Sequence, residues 1–136
     1  MYETFEHTAD MGLRVMAPDL ESLFREAAEG LFSIMVDEKP REGASSEHSY
    51  QLQSGSYDDL LFDWLNELLY TFHTEHKLFG DFEVRIEGMR LEAKARGTAL
   101  DLAISHLIRE VKAITYHGLK VEPTDDGWLA EVVVDI

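Results

Sequence analysis

Eight apolar residues in one segment, Tyr57, Leu60, Leu61, Trp64, Leu65, Leu68, Leu69 and Phe72, recur at i, i+3, i+4, i+7, i+8, i+11, i+12 and i+15. That is the period of an α-helix with a wide apolar stripe. Ser56 stands in the N-cap position, with Asp59 three residues on at capping-box spacing. Such a stripe cannot be left in water, so the fold must supply a surface to cover it. A second stripe follows the same rule: Leu20, Leu23, Phe24, Ala27, Ala28, Leu31, Phe32 and Met35, entered through Pro18 and a capping Asp19. Both stripes read as core.

Between and after the helices the pattern changes to short alternating runs. Tyr2 to His7 and Leu13 to Ala17 read as strands joined by a turn, Thr8 to Gly12. After a polar loop, Lys39 to Glu47, Glu47 to Gln53 reads as a strand. Phe79 to Glu87 and Met89 to Arg96 read as a hairpin turning near Gly88, and Leu119 to Pro123 with Trp128 to Ile136 as another around Asp125-Asp126-Gly127. The unbroken Val132-Val133-Val134 predicts a central strand covered on both faces. Ile104, Leu107, Ile108, Val111 and Ile114 keep helical spacing, with Gly118 where a helix-ending glycine would stand. They predict a short third helix, with a strand as the alternative for 106–117. Strands grouped in hairpins between separated helices indicate α+β: an antiparallel sheet, two long amphipathic helices and the short third one, in a single domain spanning 1–136.

At 136 residues, 45% of them apolar and 29% charged, the chain has the profile of an ordinary globular domain. It contains no cysteine, which excludes disulfides, a thiol nucleophile and zinc–thiolate sites. Its first residues lack the basic and apolar regions of a signal peptide, and no window approaches a membrane span, so a cytoplasmic location is expected. The net charge of −15 opposes a phosphate backbone. The two candidate basic stretches, Arg90 to Arg96 and Arg109 to Lys120, are diluted by acids. Stable direct binding to nucleic acid is not expected, whereas a basic partner, a cation or simple solubility all suit the charge. Phosphate loops, dinucleotide fingerprints, nucleophile elbows and HExxH helices are absent from the sequence, which weighs against catalysis.

A few residues have the chemistry of a site. His7 and Asp10 lie three apart in a tight turn between two strands; they are functional groups on a rigid scaffold, or a strand end and a turn-capping carboxylate. At the other end an apolar strand runs directly into Asp135 and the α-carboxylate of Ile136. Two carboxylates that close repel unless something compensates them. With Asp10 added, the set would suit a hard cation, Ca²⁺ or Mg²⁺, and not Zn²⁺; an exposed, frayed terminus is the competing reading. Lys112 is a cation in an apolar run, either on the polar face of a helix or a contact to a partner or anion. His73 and His76 are either half a metal site or imidazoles at a helix C-terminus.

Taken in order, five segments resemble the archease family: His7-Thr8-Ala9-Asp10-Met11-Gly12; the first helix through Leu31-Phe32-Ser33-Ile34-Met35; Leu60 to Tyr70; Glu110 to His117; and the terminal Val134-Asp135-Ile136. The resemblance implies a non-catalytic accessory protein of the RtcB-type tRNA-splicing RNA ligase. Such a protein promotes guanylylation of the ligase and multiple turnover, and broadens its use of nucleoside triphosphates. GTP and tRNA would be met only through the ligase. The resemblance also implies a divalent cation, Ca²⁺ foremost and Mg²⁺ second, on Asp10, Asp135 and the Ile136 carboxylate, with Lys112 functional; His7 stays a candidate from its own place near Asp10. Two departures stand out: Met11 where a β-branched residue is common, and no proline in Thr98 to Ser105. The rival expectations are a metal-dependent hydrolase built on the same acids and a general protein-binding chaperone.

Overall fold

The computed structural model describes residues 1–7, 10–37, 46–99 and 108–136. Its elements are β1 (Tyr2–His7), β2 (Asp10–Ala17), α1 (Leu20–Met35), β3 (Ser46–Gln53), α2 (Tyr57–Glu75), β4 (Lys77–Glu87), β5 (Arg90–Ala99), β6 (Ala113–Ile114), β7 (Lys120–Thr124) and β8 (Gly127–Asp135). One antiparallel sheet runs β1-β2-β8-β6, with β7 also paired to β8; a second runs β3-β5-β4. Both helices touch both sheets, so the core lies in the helical layer between them.

The two stripes behave as amphipathicity demands, with one extension. Leu23, Phe24, Ala27, Ala28, Leu31, Phe32 and Met35 are buried, and so is Ile34, which lies off the stripe. A helix with a sheet on either side buries more than one face. Trp64 is fully buried, and its indole Nε1 donates to the Phe24 carbonyl at 3.0 Å, pinning α2 to α1 while satisfying its one polar atom. Asp19 and Ser56 cap as expected, accepting from the Ser22 amide at 2.7 Å and the Asp59 amide at 3.1 Å. Met11 takes a core position on β2.

Two expectations need correction. The short third helix is not there in 108–117: no residue of that span is helical, and Ala113 and Ile114 form β6 against β8. The part of that expectation at 104–107 lies outside the described residues, as does most of the proline-free stretch. The reason is tertiary. Val111 and Ile114 reach the core equally well from an extended chain, and β8 has backbone groups to satisfy: the Lys112 amide donates to the Asp135 carbonyl at 2.7 Å and the Thr115 amide to the Val133 carbonyl at 3.1 Å. The second correction concerns Asp10, Met11 and Gly12, which are strand residues, not turn residues. Strand β2 begins at Asp10 because β8 pairs along its whole length, from Asp10 opposite Asp135 to Ala17 opposite Trp128. Strand β8 is central, flanked by β2 on one side and by β6 and β7 on the other, with Val132, Val133 and Val134 all buried.

Candidate metal centre

The registers bring the candidate residues into one line. His7 lies opposite Asp10 across β1 and β2; Asp10 lies opposite Asp135 across β2 and β8; Asp135 lies opposite Ala113 across β8 and β6. Directly opposed residues of an antiparallel pair point to the same side of the sheet, with Cβ atoms about 5 Å apart. Alternation decides which side. Met11, Leu13, Val132 and Val134 fill the core, so Asp10 and Asp135 project from the opposite face, both half-buried.

The next rows isolate this pair from the nearest strongly held cation. Phe5, Gly12 and Val133 form the adjacent row. A Cβ on Gly12 would fall inside the Phe5 ring, so glycine is what lets that ring lie flat across the sheet. One row further, Arg14 lies between Glu3 and Glu131. Its Nε donates to Glu131 at 2.8 Å, its Nη1 to Glu3 at 2.9 Å, and its guanidinium stands over the Phe5 ring at 5.2 Å. The Glu131 hydrogen bond first, then Glu3, hold Arg14 above its ordinary pKa. With rows about 7 Å apart along a strand, its charge is spent two rows away from the Asp10–Asp135 pair.

The chain end is anchored. Ile136 packs its side chain against the core, and the Asp135 carbonyl is held by the Lys112 amide. Lys112 itself is exposed, on the extended segment beside the row and not on a helix face. Among the described residues no group of three His, Cys, Asp or Glu side chains could hold a metal ion. A cation at this row would therefore draw on two side-chain carboxylates, with further protein oxygen from main chain or the Ile136 carboxylate. Such an all-oxygen set has the donor chemistry of Ca²⁺ or Mg²⁺. His73 and His76 are both exposed at the end of α2, where His76 forms the left-handed C-cap at φ 52°. Phe62 on α2 and Tyr116 after β6 form a stacked aromatic pair that the sequence does not announce. The available signal was that Phe62 and Tyr70 are large aromatics lying off the stripe of their helix.

Residues 2–136 match the family model described as the Archease protein family (MTH1598/TM1083). The archease of Thermococcus gammatolerans is 42% identical over 99% of this chain and 98% of its own length, and that of Methanopyrus kandleri 40% over 99% of each. The solution structure of protein 1598 of Methanobacterium thermoautotrophicum superposes with a TM-score of 0.87 at 33% identity, covering 99% of this chain and 98% of the other. An archease of Thermotoga maritima, described as a possible chaperone, shares the fold at a TM-score of 0.63 and 24% identity, covering 100% of this chain and 98% of its own. The chain belongs to the archease family.

Proposed function

We propose that this archease is a non-catalytic accessory protein of an RtcB-type tRNA-splicing RNA ligase in the cytoplasm. It raises ligase turnover by promoting guanylylation of the ligase and widens the triphosphates the ligase accepts. In this reading Asp10, Asp135 and the Ile136 carboxylate hold a divalent cation, Ca²⁺ in preference to Mg²⁺, and Lys112 and His7 flank it toward the partner. The single observation that supports it most is the Asp10–Asp135 pairing in one row, beside a chain end anchored by Ile136. A bound cation would supply a compensating positive charge to opposed carboxylates and a fixed geometry at the end of the sheet. The chain's own residues do the holding: β2 and β8 set the carboxylates opposite each other, and the Lys112 amide fixes the backbone at Asp135. GTP and tRNA meet the ligase, in keeping with a surface of net charge −15 that repels phosphate.

The test uses the cognate ligase in limiting amount with GTP and a broken tRNA substrate. Wild-type chain is expected to drive many turnovers per ligase. Asp135→Ala, Asp10→Ala and a chain extended beyond Ile136 are expected to lose both Ca²⁺ binding by calorimetry and ligase activation, with the fold intact by circular dichroism. Product that never exceeds one equivalent of ligase in the presence of wild-type chain would end the proposal. A metal-dependent hydrolase is the second reading, favoured by one observation: His7 opposes Asp10 in register, so a general base would have a backbone position beside the cation. Phosphate-ester and nucleotide hydrolysis by the isolated chain with Ca²⁺ or Mg²⁺, lost in His7→Ala, is the outcome that would put it ahead.

A further inference from the structure

The exposed side of α2 carries two parallel stripes. Asp59, Asp63 and Glu67 recur every four residues, and so do Phe62, Asn66 and Tyr70. A helix advances about 100° per residue, so every fourth position stays on one side and the two series run next to each other. The helix contains Asp58, Asp59, Asp63, Glu67 and Glu75 and no Lys or Arg. On this surface Tyr116, from the connection between β6 and β7, stacks its ring on Phe62 with centroids 4.0 Å apart and planes at 13°. Tyr116 nevertheless leaves 60% of its surface to solvent, and Tyr70 leaves 65%. Partial desolvation, then the Asp59 charge, then that of Asp63, raise the Tyr116 phenol above its ordinary pKa, which puts those two carboxylates within electrical reach of the ring.

A large exposed aromatic, backed by a second ring and edged by acids that pair with no Lys or Arg among the described residues (Asp63 accepts only from the Ser54 hydroxyl, at 2.6 Å), is a surface with a definite complement. It offers a π face and carboxylates side by side. A guanidinium satisfies both at once, lying flat on the ring while its N–H fork meets the acids; an ammonium is a hydrated point charge that does the second and much less of the first. The same chemistry occurs within this molecule, where Arg14 stands over Phe5 and pairs with Glu3 and Glu131. In that instance the chain supplies its own arginine. At Tyr116 it supplies none: among the described residues no Lys or Arg forms an ion pair with Asp59, Asp63 or Glu67.

We infer that the Tyr116–Phe62 stack and the acidic stripe of α2 form a docking surface for an arginine-bearing segment of a partner protein. The surface is separate from the carboxylate row and does not depend on a cation there. Tyr116 anchors the guanidinium, Asp59 and Glu67 meet its charge and that of neighbouring basic residues, and Tyr70 extends the contact along the helix.

The experiment is an amide chemical-shift titration of the isotope-labelled chain with a short arginine–glycine peptide and with its lysine counterpart of equal charge. Shifts are expected to concentrate at 59–70 and 116, with the lysine peptide binding about fivefold more weakly and Tyr116→Ala removing that difference. Asp59→Asn with Glu67→Gln is expected to weaken both peptides alike. Equal affinity for the two peptides, or shifts spread over the acidic surface at large, would overturn the inference, since that is nonspecific attraction to a chain of net charge −15. Concentration-dependent shifts at the same residues without peptide would also overturn it, by assigning the face to a second copy of the chain.

Discussion

Two rows of side chains, one on each sheet, solve the same electrostatic problem in opposite ways. On the three-stranded sheet Glu47, Arg96 and Asp81 lie side by side across β3, β5 and β4. Arg96 reaches Glu47 at 2.8 Å, Asp81 at 3.1 Å and Glu83 at 3.3 Å, and the hydrogen bonds to Glu83, Glu47 and Asp81, in that order, raise its pKa far above the ordinary arginine value. On the five-stranded sheet the row is Asp10, Asp135 and Ala113, with no Lys or Arg in it. Where the chain places an arginine among its acids, the cluster is a fastening between strands and asks for nothing more. Where two aspartates oppose each other with no Lys or Arg in the row, the proposed cation would take the place that Arg96 holds in the other. The same contrast separates the two tyrosine and phenylalanine surfaces: Phe5 has its arginine, and among the described residues Tyr116 has none.

The largest expected effect follows from filling the second row. Ligand that binds only the folded state stabilises it by mass action, about 2.7 kcal/mol at a free concentration a hundred times the Kd. Thermal unfolding of the wild-type chain is expected to rise by several degrees on adding Ca²⁺ and to fall back with chelator. If Ca²⁺ leaves the midpoint unmoved while binding is demonstrated elsewhere, the two rows are not counterparts. The Arg96→Met substitution sharpens the contrast from the other side. An exposed ion pair alone contributes little, but here three carboxylates are left facing one another. The midpoint is expected to drop, and to recover as salt screens the repulsion. A deficit independent of salt would mean that Arg96 acts through its packing and not its charge.

How far these rows could be read in advance depends on which forces made them. The stripes of α1 and α2 and their caps at Asp19 and Ser56 were legible because helix period and capping are local chemistry. The start of β2 was not: Thr-Ala-Asp-Met-Gly has the composition of a turn, and only β8, arriving from the far end of the chain, makes Asp10 a strand residue. Residues 108–117 carried both a helical and an alternating pattern, and pairing of Ala113 and Ile114 with β8 decided between them. For the site, residue types pointed to Asp10, Asp135 and Ile136, and the registers then set Asp10 against Asp135. The Phe62–Tyr116 stack is not legible in the sequence, because nothing in the spacing of two distant aromatics announces that they meet.

A third way of holding a carboxylate calibrates the other two. Asp19 caps α1, and the backbone amide of Ser22 first, then the Ser22 side chain, hold its pKa below the ordinary aspartate value. A depressed pKa in the folded state means stability that is present above the unfolded pKa, near 4, and lost as pH falls through the folded one. Asp19→Ala is expected to cost about 1 kcal/mol at neutral pH. The gap from wild type should narrow in acid below pH ~4, measured by denaturant unfolding across pH. A gap that stays constant into acid would mean the cap acts without its charge.

The smallest effect is also the one whose sign decides the comparison. Like charges directly opposite across two strands are destabilising, on the scale of about 0.5 kcal/mol. Asparagine keeps the shape of Asp135 and removes its charge. With chelator present, Asp135→Asn is therefore expected to be slightly more stable than wild type, because the repulsion from Asp10 is gone. With Ca²⁺ in excess the order should invert, since wild type gains the cation and the variant does not. No reversal is expected at the other row, where Arg96 already occupies the compensating position and Glu47→Gln should lower stability under both conditions. A crossing of the two stability curves at the Asp10–Asp135 row, and none at the Arg96 row, separates a site kept open for an ion from a pair of acids that merely tolerate each other; denaturant midpoints with and without Ca²⁺ read it directly.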